Sequence, residues 1–207
     1  MRYLEDIGLD TDPSFRASKE VSESYLHLRH ALELNDVFIA ALRLKQVSNN
    51  CYVHRRIDER SFKREPLTFP YNSANIRLIP DGFLDIRIRR HESSDLSLAL
   101  LLEHDRGTGQ QEHFRRRIRM YKAFLSTGAY KQPLRINSVT MAFTTFISTK
   151  RLQQMHKWTK SELATEPQLA SMFIFAELPK QLEPQHLLFE RRWYTLKKDQ
   201  PIALLGE

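Results

Sequence analysis

Two apolar patterns lie either side of a short polar break between residues 82 and 102. In Gly82-Phe83-Leu84-Asp85-Ile86-Arg87-Ile88-Arg89, the residues Leu84, Ile86 and Ile88 alternate with Asp85, Arg87 and Arg89. Strand side chains point to opposite faces in turn, so the two sets part company and Asp81 falls on the polar side. Leu96 to Leu102 is apolar on both faces, which predicts a central strand covered on both sides. With His91 to Asp95 as the turn between them, the pair reads as a β-hairpin. Just past its second strand, Glu103 and Asp105 face one way and His104 the other.

The same reading extends along the chain. Tyr25 to Leu44 has helical apolar spacing through Leu28, Leu32, Val37, Ile39, Ala40 and Leu44. It is either one long helix or two, with a fresh start capped at Asn35 or Asp36. Cys51, Val53 and Ile57 suggest a strand. Residues 58–75 are polar and irregular, and Pro66 and Pro70 argue against a regular element there. Gln110 to Ser126 reads as a helix with Phe114, Ile118, Tyr121, Phe124 and Leu125 near one side, ended by Gly128. Asn137 to Ile147 is β-branched and aromatic, hence strand. Thr149 to Ala164 predicts a basic helix and Met172 to Ala176 a buried strand. Helix, three strands, helix, strand, helix, strand is an α/β arrangement with a mixed sheet.

Length narrows this to one full-sized core, since 207 residues suffice for one domain and are few for two. Residues 1–24 carry Asp, Pro, Ser and Gly without periodicity and read as a leader or linker. Residues 25–178 form the core, and 179–207 an extension packed on it. No apolar run approaches the ~20 residues of a membrane span, and the N-terminus has no apolar signal region. The lone Cys51 excludes an internal disulfide and a multi-cysteine zinc site. Together these favour a bacterial-type cytoplasmic location.

The net charge of +7 points to a polyanionic partner. Because residues 1–24 hold more acids than bases, the basic excess belongs to the folded body. Arg115, Arg116, Arg117, Arg119 and Lys122 crowd one helix, and Lys150 and Arg151 open the next basic one. DNA is therefore the expected partner, through Arg115, Arg116, Arg119, Lys150 and Arg151.

Asp81, Glu103 and Asp105 carry the candidate chemistry. Close like charges resist ionising together unless a cation sits among them. Magnesium, or manganese, takes one or two carboxylates, waters and phosphate oxygens, and acidifies a bound water for attack at phosphorus. Asp81 and Glu103 would be the ligand pair with Asp105 a third acid, while Arg117 and Lys122 would face the scissile phosphate and Tyr121 stand near it. The plainer reading makes Asp81-Gly82 an ordinary turn and pairs Glu103 and Asp105 with nearby arginines.

Leu78-Ile-Pro-Asp81-Gly82, Leu102-Glu-His-Asp105-Arg-Gly-Thr108 and Arg117-Ile-Arg-Met-Tyr121 resemble the bacterial replication-relaxation family, of the PD-(D/E)XK nuclease-like superfamily. His30-Ala-Leu-Glu-Leu-Asn35-Asp36-Val37 is similar to that family's entry helix. The resemblance runs from about Tyr25 to about Leu163 and more weakly through Trp193. It implies a restriction-endonuclease-like core, a mixed sheet flanked by helices, and a role in plasmid replication and DNA relaxation in mobile elements, with a replication or mobile-element protein as a further partner. Arg117-x-x-x-Tyr121 resembles the Gln-x-x-x-Tyr helix of RecB-like nucleases, with arginine in place of glutamine. One departure stands out: the superfamily's lysine, two residues past the acid, is Asp105 here. Arg117 or Lys122 would have to supply its charge. The expectation is thus a metal-dependent nuclease-like protein, with a noncatalytic DNA- or protein-binding module on the same fold as the alternative.

Overall fold

The computed structural model describes residues 25–90, 94–107 and 110–205. The expected leader 1–24, and His91 to Ser93 of the expected turn, lie outside the described residues. Residues from Leu34 onwards form one compact unit, which holds the sheet described below.

Helix α1 (Tyr25–Leu42) passes Asn35-Asp36 unbroken and tightens into a 3-10 turn, Arg43–Gln46. Leu34, Val37, Phe38 and Ala41 keep one buried stripe across that point while Asn35 and Asp36 stay exposed, so nothing forces a second start. Strand β1 (Cys51–Asp58) runs into α2 (Glu59–Arg64), where Asp58 caps the helix by accepting the Ser61 N–H at 2.9 Å. A separate hairpin, β2 (Leu67–Tyr71) and β3 (Ala74–Leu78), follows.

The expectation of irregular chain over 58–75 was therefore wrong. Asn72 and Ser73 take left-handed φ values of 47° and 63°, the conformation a two-residue hairpin loop requires. Pro70 pairs with Asn75 one step from the closing pair Tyr71–Ala74. In an antiparallel ladder that step is a non-hydrogen-bonded pair, so the missing N–H costs nothing.

Next come β4 (Gly82–Ile88), β5 (Leu96–His104), α3 (Gln111–Ser126), α4 (Lys131–Leu134), β6 (Thr140–Thr145), α5 (Thr149–Glu162) and a 3-10 turn, Pro167–Met172. The chain ends in β7 (Phe173–Glu177), α6 (Pro184–Leu188), β8 (Trp193–Thr195) and β9 (Lys198–Ile202). Seven strands form one mixed sheet in the order β1-β4-β5-β6-β7-β8-β9. β5, β6 and β7 are parallel, joined through α3 and α5 as parallel neighbours require, and the outer pairs are antiparallel. The C-terminal extension adds β8 and β9 to this sheet, a hairpin its sequence did not suggest.

Alternation sorts the core. Phe83, Leu101, Phe143 and Phe175 lie with Phe114, Ile118 and Tyr121 of α3 and Leu152 and Met155 of α5. Leu84, Leu100, Leu102 and Ala142 lie on the other face, with Leu34 to Ala41 of α1 and with α6. β5 is thus buried on both faces from Ala99 onwards, as its apolar run predicts, while Leu96 and Ser97 at its start are exposed.

Candidate functional site: three carboxylates around one guanidinium

Asp81 is pinned across the end of β5. Its N–H donates to the Leu102 carbonyl at 3.2 Å, and its Oδ2 accepts the His104 N–H at 2.7 Å. Glycine must follow, because a Cβ at Gly82 would sit 2.6 Å from Cζ of the buried Phe38. Glu103, next on β5, is 2% exposed and lies on the α3 face of the sheet. His104 points the opposite way, with Nδ1 2.9 Å from the Thr144 hydroxyl and its ring against Phe146.

One turn of α3 presents Arg117 and Tyr121, four residues apart and hence on one side of the helix. Arg117 Nη1 donates to Glu103 Oε2, and the Tyr121 hydroxyl donates to Oε1. Attraction to Glu103 raises the Arg117 pKa against the opposing effect of burial, and Tyr121, Asp81 and Asp105 add to it. All three acids therefore act on one guanidinium. Asp105 has its own partner as well: Arg151 reaches it with Nε at 2.6 Å and Nη2 at 2.8 Å, a two-pronged ion pair. The Gly107 N–H adds a third bond at 2.7 Å, made from a left-handed φ of 70°. The Arg151 guanidinium also lies over the Trp158 ring at 5.1 Å.

In this arrangement the Glu103 and Asp105 carboxylates are turned onto side-chain donors rather than onto one shared point. A magnesium or manganese ion needs carboxylate lone pairs converging at ~2.0–2.1 Å. Both oxygens of Glu103 and both of Asp105 already accept bonds. Among the described residues, no three His, Cys, Asp or Glu side chains gather where a metal could be held.

Of the residues expected from sequence, Asp81, Glu103, Asp105, Arg117 and Tyr121 meet. Lys122 stands apart, 2.9 Å from Glu166 and 3.0 Å from the Thr165 hydroxyl. Arg115 and Arg119 both hold Glu162, at 2.5 and 3.1 Å, and Arg119 also holds Glu112 at 2.5 Å. Arg151, expected on DNA, is buried on Asp105. Arg116 and Lys150 remain exposed, with no acidic partner among the described residues. Sequence reasoning missed Glu162, which gathers two of the α3 arginines from the far end of α5.

Burial raises the Tyr121 pKa well above the ordinary tyrosine value, and the Glu103 charge raises it further. A folded pKa above the unfolded one means this contribution is complete below about pH 10 and is lost as pH climbs through the folded value. In an alkaline titration followed at 295 nm, one of the seven tyrosines should stay neutral until the protein unfolds. Tyr121→Phe should abolish that late step and cost about 1–2 kcal/mol, since Glu103 loses a donor.

The family model for replication-relaxation matches residues 4–140. The chain belongs to that family. The match reaches further towards the N-terminus than the resemblance read from sequence and stops at the start of β6. It contains the Asp81, Glu103, Asp105, Arg117 and Tyr121 cluster of this replication-relaxation protein, but not Arg151. Comparison with curated proteins finds no match, and neither does comparison with solved structures. Family membership suggests a DNA-processing role on a plasmid or other mobile element. Among the described residues, no helix is long and apolar enough to cross a membrane.

Proposed function

We propose that this replication-relaxation protein is a noncatalytic DNA-binding module whose nuclease-like carboxylates serve the architecture. The observation that carries this reading is that Arg117 and Tyr121 together hold both oxygens of Glu103, while Arg151 holds both oxygens of Asp105. Asp105, where the superfamily has lysine, extends the exchange by binding Arg151. The element order, a helix, an antiparallel β1-β4-β5 unit, a crossover helix and a parallel β6, accords with a PD-(D/E)XK-like core. Exposed Arg116 and Lys150, neighbours in sequence of Arg117 and Arg151, supply phosphate contacts beside the cluster.

The test is supercoiled plasmid incubated with the purified protein and magnesium or manganese, alongside binding titrations across salt. Expected are no cleavage above background and salt-sensitive binding. Arg116→Ala with Lys150→Ala should reduce the slope of log affinity against log salt by about two. Cleavage that disappears in Asp81→Ala and Glu103→Ala would overturn the noncatalytic reading and restore a metal-dependent nuclease.

A further inference from the structure

A second concentration of arginine lies on the same sheet face, towards the other end of β4. Asp85 is buried there, with Oδ2 2.9 Å from Arg87 Nη2 and Oδ1 accepting the Ser97 hydroxyl at 2.9 Å. Arg55 pairs with Asp85 across β1 and β4, just past a bulge between Val53 and Arg55, and its guanidinium lies 5.1 Å from the Phe83 ring centroid. The bulge turns Arg55 onto the side that Arg87 occupies. Arg89, two residues beyond Arg87, shares that side and stacks at 5.2 Å on Tyr52, whose hydroxyl donates to Asp95. Arg135, exposed and held at a left-handed φ of 49° after α4, lies near enough that, beyond the effect of burial, its charge lowers the Arg55 pKa.

Among the described residues, Asp85 meets one of these arginines directly, through Arg87, and Asp95 is engaged by Tyr52. Arg87 Nε is buried and makes no hydrogen bond. The Arg55 pKa is lowered by burial; Asp85 opposes this, while Arg135 and Arg87 add to it. A protein that wanted only to neutralise Asp85 would need one of these cations. The α3 and α5 arginines show the contrast, since Glu103, Asp105 and Glu162 consume Arg115, Arg117, Arg119 and Arg151 in ion pairs.

We propose that Arg55, Arg87 and Arg135 form a second phosphate-binding site that grips the nucleic-acid backbone away from the carboxylate cluster. Planar guanidinium forks suit phosphate oxygens, and several on one surface suit a repeating diester more than a single carboxylate. From Asp81 to Arg87 the strand advances six residues, roughly 20 Å at ~3.3 Å each. The arginine group therefore lies well apart from the carboxylate cluster, and a duplex of a few turns is long enough to meet both. The site rests on the DNA-binding reading above and adds where the DNA runs.

The test compares wild type, Arg55→Gln/Arg135→Gln and Arg116→Ala/Lys150→Ala on a 20-base-pair duplex across salt, with circular dichroism to verify folding. Both substituted arginines lie outside the buried pair Arg87–Asp85, so the fold should hold. Expected for Arg55→Gln/Arg135→Gln is about a tenfold loss of affinity and a salt slope smaller by about two. Combining the two double variants should lose both increments. If wild type binds DNA and Arg55→Gln/Arg135→Gln binds equally well, this second site is wrong while the DNA-binding reading stands. Polyglutamate competing as well as DNA, charge for charge, would assign the cluster to an acidic protein and overturn the proposal. If wild type binds no DNA, both fail together.

Discussion

Replacing Arg117 with methionine is expected to cost about 3 kcal/mol of folding stability, although its guanidinium is on the surface side of the cluster. Removing one partner of a buried pair leaves an uncompensated charge, typically a loss of 3–5 kcal/mol. The lower end applies because the Arg117 side chain is 38% exposed, so water screens part of the interaction, while Glu103 at 3% cannot be rehydrated. For a body of this size the midpoint of thermal unfolding should fall by roughly 6–12 °C. Glu103→Gln in the same chain should recover most of the loss, because the charge needing a partner is then gone. Glu103 left without Arg117, with Asp81 near it, should also acquire an appetite for cations. Magnesium or manganese should raise the melting temperature of Arg117→Met and leave wild type unmoved. A wild-type protein stabilised as strongly by either ion would count against Arg117 as the resident cation.

The placement of the acids was legible because it follows from alternation. A strand that is apolar on both faces must be central, and parity then fixes Glu103 towards one helix layer and His104 towards the other. Helical periodicity is equally informative, and it separates Tyr121 from Lys122. Tyr121 lies four residues from Arg117, about 40° around the helix, whereas Lys122 lies five away, about 140° around at ~100° per residue. Lys122 was never able to join Arg117 at Glu103, and it meets Glu166 instead. Contacts between distant segments left no such trace. Glu162 holds Arg115 and Arg119 from 47 and 43 residues away, and nothing local marks either end. The hairpin over 67–78 is masked in the sequence by Pro70, which the ladder tolerates because its nitrogen faces away from the partner strand. Charge was the least transferable signal, since a run of arginines reads alike whether solvated, paired or poised for phosphate.

Arg151 supplies the second large effect, and it separates architecture from DNA contact most sharply. As a phosphate ligand, Arg151→Ala would weaken DNA binding and leave stability nearly untouched, as exposed cations do. The geometry predicts the reverse. Its side chain is 9% exposed and that of Asp105 16%, the fork has bonds of 2.6 and 2.8 Å, and the guanidinium also covers Trp158. Loss of the fork should cost about 3–4 kcal/mol, and amide exchange should accelerate along α5, whose first turn Arg151 ties to the end of β5. Arg151→Lys should recover only a minor part, because an ammonium makes neither the two-pronged pair nor the flat contact with the indole. In a double-mutant cycle with Asp105→Asn, the coupling should be about 2 kcal/mol, within the range for residues sharing one buried network. Zero coupling, or a binding defect without a stability defect, would return Arg151 to the DNA surface. It would also leave Asp105 open as a ligand, its two oxygens no longer committed to the fork.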